Sequence, residues 1–148
     1  MIAAAAVVLL FPGSLTTPTQ RAGPSVPRYG LRVDGATKHR HPITGESEPV
    51  RWTVTNIGDR RLDDVRLDTT VPPGWNLAGA PGCQRTGVRL RCELGPLKVN
   101  RPATIRINLV ARRPGHSFDL TATTAFRAAG QEFTGPTTSF EVAVVTSR

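Results

Sequence analysis

The residues of this 148-residue chain that could do chemistry begin with two cysteines, Cys83 and Cys92. Residues 86–87, Thr-Gly, can turn the chain between them, so that the two sulfurs face each other across a short hairpin and form a disulfide. Zinc binding is the competing interpretation, and its further ligands would be His39, His41 and His116. A second cysteine pair and finger-like histidine spacing are both missing from the sequence. We therefore expect a disulfide, and with it an oxidising compartment.

Three arginines, Arg85, Arg89 and Arg91, cluster on the same hairpin. Side chains alternate between the two faces of a strand, so Arg89 and Arg91 are predicted to share one face. Such a patch would attract phosphate- or carboxylate-rich polymers with a salt-sensitive affinity. The alternative, which the sequence favours, is that arginines cover exposed strands and keep their edges from pairing with other chains.

Residue types used in hydrolytic catalysis occur together at His116, Ser117 and Asp119. Adjacent residues of a strand point to opposite faces, so His116 and Ser117 are poorly placed to share a proton. The sequence contains no nucleophile elbow, no phosphate-binding glycine-rich loop and no His-Glu-x-x-His motif. We predict that the protein is not an enzyme and uses no cofactor.

Acidic residues between positions 46 and 68 could hold calcium. They are Glu46, Glu48, Asp59, Asp63, Asp64 and Asp68. The alternating aspartates, central glycine and terminal glutamate of a calcium-binding loop are missing from this region. We expect a solvated turn in which Asp59 and Asp63 face Arg60 and Arg61, and we predict no metal site.

The elements that must position these residues are strands, because apolar and polar residues alternate with a period of two from residue 29 onward. Val50, Trp52 and Val54 form one such series, and residues 103–111 form the clearest one. Seven or eight strands with turn residues between them, and no convincing helix, predict an all-β fold. The economical architecture is an immunoglobulin-like antiparallel two-sheet sandwich. Trp52 is in phase with the core; Trp75 is expected there too, with an exposed sugar-stacking ring as the alternative.

The N-terminus predicts export. Residues 1–11 are uninterruptedly apolar and would span about 17 Å as a helix, less than the ~30 Å of a bilayer core. This length is typical of a signal peptide, although no basic residue precedes it and no clean small-x-small cleavage site follows it. A truncated membrane anchor is one alternative. A buried first helix or strand of the domain is another, which poly-alanine followed by Pro-Gly disfavours. We assign residues 1–22 to the signal peptide or anchor, 23–28 to a linker and 29–146 to the sandwich domain. Membrane contact is expected only through residues 1–11, if they are retained.

The net positive charge of the chain limits which kinds of molecule are expected to bind it. Nineteen lysines and arginines against 11 acidic residues give a net charge of +8, but aromatic residues make up only 5% of the chain. No recognition motif accompanies the arginines, so a nucleic acid is not the favoured partner. An extracellular or cell-surface location makes a cell-envelope polymer or another surface protein the expected partner.

Three stretches of this sequence resemble a known bacterial family. They are RWTVTNIGD at 51–59, VRLDTTVPPG at 65–74, and Cys83 followed by CELGPL at 92–97. Together they are similar to the surface-repeat family called domain of unknown function eleven, over about residues 29–145. Residues 73–75 and 114–123 also look like the related NPCBM-associated module that accompanies glycoside hydrolases. Residues 96–100 depart from the family pattern, which usually has a glycine-containing turn there.

The resemblance implies an exported sandwich module without a catalytic centre. We therefore expect a non-catalytic surface, adhesion or spacer module. The alternative is a binding module for an anionic cell-envelope polymer, or an accessory module of a carbohydrate-active enzyme. The motif also has a physical interpretation, in which Asn56 and Gly58 tolerate positive φ in a tight turn while Pro-Pro-Gly ends a strand.

Overall fold

Nine strands in two antiparallel sheets make up the computed structural model, which describes residues 26–114 and 117–146. The strands are β1 (Leu31–Thr37), β2 (Ser47–Asn56), β3 (Leu62–Thr70), β4 (Trp75–Gly79), β5 (Cys83–Thr86), β6 (Arg89–Leu97), β7 (Pro102–Ala111), β8 (Ser117–Ala128) and β9 (Gln131–Ala143). The predicted all-β sandwich is confirmed, with one strand more than the upper number expected. Of the predicted N-terminal segments, residues 1–25 lie outside the described part. Within that part no helix exists that could cross a bilayer.

The two sheets have four and five strands. The order is β1-β2-β7-β4 in the four-stranded sheet and β5-β6-β3-β8-β9 in the five-stranded sheet. Neighbouring strands within each sheet are antiparallel. The two sheets contact each other along one side, where β1 lies against β9. Pro-Pro-Gly separates β3 from β4 as expected, with Gly74 at a φ of 81°.

The core lies between the sheets and is filled mainly by alternate residues of the strands, although β5 contributes no buried residue. Trp52 is 1% exposed and meets Phe140 of β9 edge-on, with ring centroids 5.2 Å apart. Trp75 is also buried, and its ring meets Phe118 edge-on at 5.4 Å. Both tryptophans are therefore core residues, and the alternative of an exposed sugar-stacking Trp75 is wrong.

Gly35 of β1 leaves space for the rings of Trp52 and Phe140. A Cβ atom at this position would overlap the ring of Phe140 and lie 2.5 Å from Cζ3 of Trp52. The φ of Gly35 is not positive, so its backbone conformation does not require glycine. Glycine is required because two aromatic rings from different sheets approach this position closely.

We predict that Gly35→Ala lowers the free energy of unfolding by about 2–3 kcal/mol, because the added methyl group overpacks the core. Urea unfolding measures this. Gly79→Ala is the matched control, since a Cβ there meets only Nδ2 of Asn108, at 3.9 Å. A control loss as large as that of Gly35→Ala would contradict the packing argument.

Asn56, the last residue of β2, connects the two sheets. Its side chain is fully buried; Nδ2 donates to the carbonyl oxygens of Arg60 at 2.7 Å and Leu97 at 3.0 Å. Oδ1 accepts a hydrogen bond from the backbone N–H of Gly58 at 3.0 Å, and the Asn56 carbonyl accepts one from Asn100 at 2.9 Å. The Asn56 side chain, at the end of β2 in the four-stranded sheet, thus binds the end of β6 in the five-stranded sheet.

The predicted positive φ at Asn56 and Gly58 is wrong. Neither residue has a left-handed backbone; in this region Asn100 does, with a φ of 58°. Asparagine is needed at position 56 because its side-chain amide both donates and accepts the hydrogen bonds described above. Glycine is needed at 58 because a Cβ would overlap the carbonyl oxygen of Arg28.

We expect Asn56→Ala to destabilise the domain by about 2–4 kcal/mol, since it leaves the buried carbonyl of Leu97 and the part-buried backbone groups of Gly58 and Arg60 without this partner. Asn108→Ala serves as the control, because Asn108 is half-buried on an outer sheet face and its side chain has no hydrogen bond to a described residue. Chemical denaturation compares the two variants. Equal losses would show that Asn56 does not have the proposed connecting role.

Candidate functional site

The hairpin of β5 and β6 forms as predicted. Its loop contains Gly87, with a φ of 61°, and places Cys83 directly opposite Cys92. The two residues form a disulfide with an S–S distance of 2.00 Å and a Cα–Cα distance of 4.0 Å. The disulfide prediction is confirmed, and these thiols are not zinc ligands. The bond holds β5, a four-residue edge strand, onto the sheet.

The double variant Cys83→Ser/Cys92→Ser is expected to lower the free energy of unfolding by about 2.5–3 kcal/mol, from the loop-closure entropy of this short ring. Unfolding in urea measures the loss, and reduction of the parent protein should reproduce it. Alkylation of both thiols in native, unreduced protein would contradict the disulfide.

The structure separates the three arginines of the predicted patch. Arg89 and Arg91 are exposed on the outer face of the sheet, as predicted. Arg85 lies opposite the buried Leu90 in the register, so it belongs to the other side of the hairpin. Its Nε donates to the carbonyl oxygen of Gly87 at 2.9 Å. The hairpin therefore presents two arginines on its outer face.

Arg91 is already paired with a carboxylate. Its Nε donates to Oδ1 of Asp68, on the neighbouring strand β3, at 2.9 Å. This hydrogen bond, and then the charge of Asp68, raise the pKa of the Arg91 guanidinium above its ordinary value. Arg66 also approaches Asp68, at 3.9 Å. Arg89 has no side-chain hydrogen bond or ion pair with a described residue, so it carries the uncompensated positive charge of the patch.

The acidic turn is solvated, with one pairing different from the prediction. Asp63 lies 3.6 Å from Arg61 as expected. The carboxylate of Asp59, however, accepts a hydrogen bond from the backbone N–H of Arg28 at 2.9 Å and lies 3.8 Å from its Nε. Arg60 contacts Asp59 through the backbone instead, because its Nη1 donates to the Asp59 carbonyl oxygen at 3.2 Å. Arg28 reaches Asp59 only because the chain before β1 folds back against the β2–β3 turn.

Potential metal ligands stay apart. Over residues 26–114 and 117–146, no group of three or more histidine, cysteine, aspartate or glutamate side chains could hold a metal ion. Glu48 is buried and engaged by His39, whose backbone N–H donates to Oε1 and whose Nδ1 lies 2.7 Å from Oε2. Of the residues considered for catalysis, Ser117 and Asp119 are exposed on β8, and His116 lies outside the described residues.

A shallow groove of about 440 Å³ lies beside Arg89 and Arg91 on the outer face of the five-stranded sheet. We call it the threonine groove; its lining residues are Asp68, Thr69, Thr70, Gln84, Thr86, Arg89, Leu90, Arg91, Thr121 and Thr123. Thr121 shares a hydrogen bond with Ser139 at 2.7 Å, and Thr123 shares one with Thr137 at 3.2 Å. The hydroxyl groups therefore form rows across β8 and β9.

Sequence reasoning missed this groove. The alternation that marks β8 as a strand also places Thr121 and Thr123 on one face, so part of the signal was present. Their position beside Gln84, Arg89 and Asp68 depends on the strand order, which joins three separate parts of the chain.

No protein-family model matches the chain, and a search of the curated proteins finds no match. Similar structures do exist. A cohesin module from a Clostridium perfringens family 33 glycoside hydrolase has a TM-score of 0.62 at 11% identity, over 82% of this chain and 100% of that one. AvmM, which catalyses macrocyclization in alchivemycin A biosynthesis, has a TM-score of 0.56 at 13% identity, over 80% and 90%. The bacterial hydrophobin BslA has a TM-score of 0.50 at 12% identity, over 80% and 97%.

These similarities show the fold alone, because the identities are low. The same sandwich occurs in a module of a hydrolase, in a catalyst and in a hydrophobin, so the fold by itself does not indicate which function this chain has.

Proposed function

We propose that this protein is an exported, non-catalytic binding module that holds a polyhydroxylated polymer in the threonine groove. The observation that carries the proposal is the lining of that groove. Threonine hydroxyls, the Gln84 amide and the Asp68–Arg91 ion pair offer donors and acceptors together on adjacent strands. Such groups pair with sugar hydroxyls, and strands fix their spacing better than loops do.

The charges of the groove favour a neutral or weakly anionic polymer. Arg91 is compensated by Asp68, and Arg89 is left without a carboxylate partner among the described residues. The strongly anionic partner suggested by three clustered arginines therefore has less support here than a hydroxylated one. Binding through hydroxyl and amide groups would change little with salt, whereas a contribution from Arg89 would weaken as salt is added.

The lining also supports a role without catalysis. Its described residues include one carboxylate, Asp68, which two arginines engage, and no histidine or cysteine. General acid–base chemistry needs a group that can give up or accept a proton at working pH, and hydroxyls with no adjacent base do not do so.

Export is supported by the disulfide and by the apolar segment at residues 1–11. An extracellular or cell-surface accessory role fits the resemblance to surface-repeat and hydrolase-associated modules. It also fits the structural similarity to a cohesin module of a glycoside hydrolase. In this role the module would hold a polymer near an enzyme or a cell surface.

The test measures glycan binding by the double variant Thr121→Val/Thr123→Val. These substitutions remove two hydroxyl groups and keep the β-branched shape of the side chains. Affinity electrophoresis in gels containing laminarin or glycol chitin should show retardation of the parent protein. The double variant should weaken binding about ten-fold, as expected for the loss of roughly 1.4 kcal/mol in hydrogen bonds.

Thr53→Val/Thr55→Val is the matched control, because these two threonines alternate along β2 on the outer face of the four-stranded sheet, as Thr121 and Thr123 do along β8, and lie outside the threonine groove. Its binding should equal that of the parent. No retardation of the parent by either glycan, or equal losses in both variants, would reject the threonine groove as a glycan site and favour a spacer role.

A further inference from the structure

The outer face of the four-stranded sheet carries two arginines in direct opposition. Arg51 of β2 and Arg106 of β7 are cross-strand partners in the register. Both are exposed, whereas their neighbours along each strand, such as Trp52 and Ile107, are buried, so both guanidinium groups face solvent on the same side. Like charges placed directly opposite each other destabilise an antiparallel pair.

The protein does not neutralise this pair itself. Neither guanidinium forms a hydrogen bond or ion pair with a described residue, and the same holds for the ammonium group of nearby Lys38. Five other arginines each lie within 4 Å of a carboxylate: Arg28, Arg32, Arg61, Arg66 and Arg91. Asp34, on the same face, is 3.2 Å from Arg32. The positive charge at Arg51 and Arg106 is thus left for a partner.

Depressions lie on both sides of the pair. One, of about 500 Å³, is lined by Ala36, Thr37, Lys38, Pro49 and Val50; the other, of about 490 Å³, is lined by Pro81, Gly82, Glu93, Leu94, Thr104 and Ile105. Arg51 and Arg106 line both depressions, so the pair stands at the junction of one continuous surface. Glu93 is the only carboxylate among the residues that line either depression, and it lies in the second one.

We propose that Arg51, Arg106 and Lys38 form an oxyanion-binding site for an extended polysaccharide that bears carboxylate or sulfate groups. Each guanidinium can hold an oxyanion with two parallel N–H···O bonds, and an anion between them cancels their mutual repulsion. The depressions on either side accommodate the sugar units that precede and follow the charged group. The two arginines lie on the opposite sheet from the threonine groove, and the residues that line the two depressions are different from those that line the groove.

The experiment compares Arg51→Gln/Arg106→Gln with Arg32→Gln/Arg127→Gln. Both double variants lose two positive charges, but the control removes an ion-paired arginine of the same face and an exposed arginine of the other sheet. The probes are polygalacturonate for carboxylate, dextran sulfate for sulfate, and neutral dextran, each in affinity electrophoresis at low and at physiological salt.

The parent protein should bind polygalacturonate, dextran sulfate or both, and bind dextran much more weakly. Arg51→Gln/Arg106→Gln should lower the affinity at least ten-fold, as expected for two charge-assisted contacts, and the control less than three-fold. The excess of affinity for either anionic polymer over dextran should be lost in Arg51→Gln/Arg106→Gln and should persist in Thr121→Val/Thr123→Val, so failure of the threonine groove and failure of this site are separable. Equal losses in the two arginine double variants, or no binding of either anionic polymer by the parent, would overturn the proposal.

Thermal unfolding supplies a second readout. Without polymer, Arg51→Gln/Arg106→Gln should melt at the same temperature as the parent or higher, because the repulsion is gone. Added polyanion should raise the melting temperature of the parent and not that of the variant, since a ligand of the folded state stabilises it. A variant that melts well below the parent would show that the pair has a structural role, which contradicts the proposal.

Discussion

The buried amide of Asn56 is the contact on which the relative position of the two sheets depends. A sandwich holds its sheets together mainly through side-chain packing, which is nondirectional. Asn56 adds direction, because its Nδ2 reaches from the end of β2 to the Leu97 carbonyl at the end of β6. Its other bonds fix the turn to β3 through Gly58 and Arg60. One side chain thus joins the end of β2 to the end of β6 and fixes the turn that leads to β3.

With the sheets fixed, the charge of the chain is divided unequally between two outer faces. On the five-stranded sheet Asp68 lies between Arg66 and Arg91, and the threonine rows beside it are neutral. On the four-stranded sheet Arg51 and Arg106 oppose each other without a carboxylate partner among the described residues. The net charge of +8 is therefore not distributed evenly over the surface of the protein. One outer face displays rows of hydroxyl groups, and the other displays two opposed arginines.

This division explains how a common sandwich can acquire a particular function. The interior holds Trp52, Phe140 and aliphatic residues, and Gly35 leaves space for their rings, so the core serves packing. Structures with this fold include a hydrolase module, a macrocyclization catalyst and a hydrophobin. A shared fold does not fix function, and in this protein the groups displayed outside lie on strands whose spacing the core fixes.

The sequence by itself determined what depends on neighbours along the chain. Period-two alternation predicted the strands, the inward Trp52 and the shared face of Arg89 and Arg91, and nine-residue spacing predicted the disulfide. Only the tertiary structure decided what depends on register between distant strands. It paired Asp59 with Arg28, which precedes β1, and set Arg51 against Arg106. The local register of the hairpin, which places Arg85 opposite Leu90, was also not predicted. Alternation gives the face of a residue within its own strand, whereas the partner across the sheet depends on strand order and register, which packing of the whole chain selects.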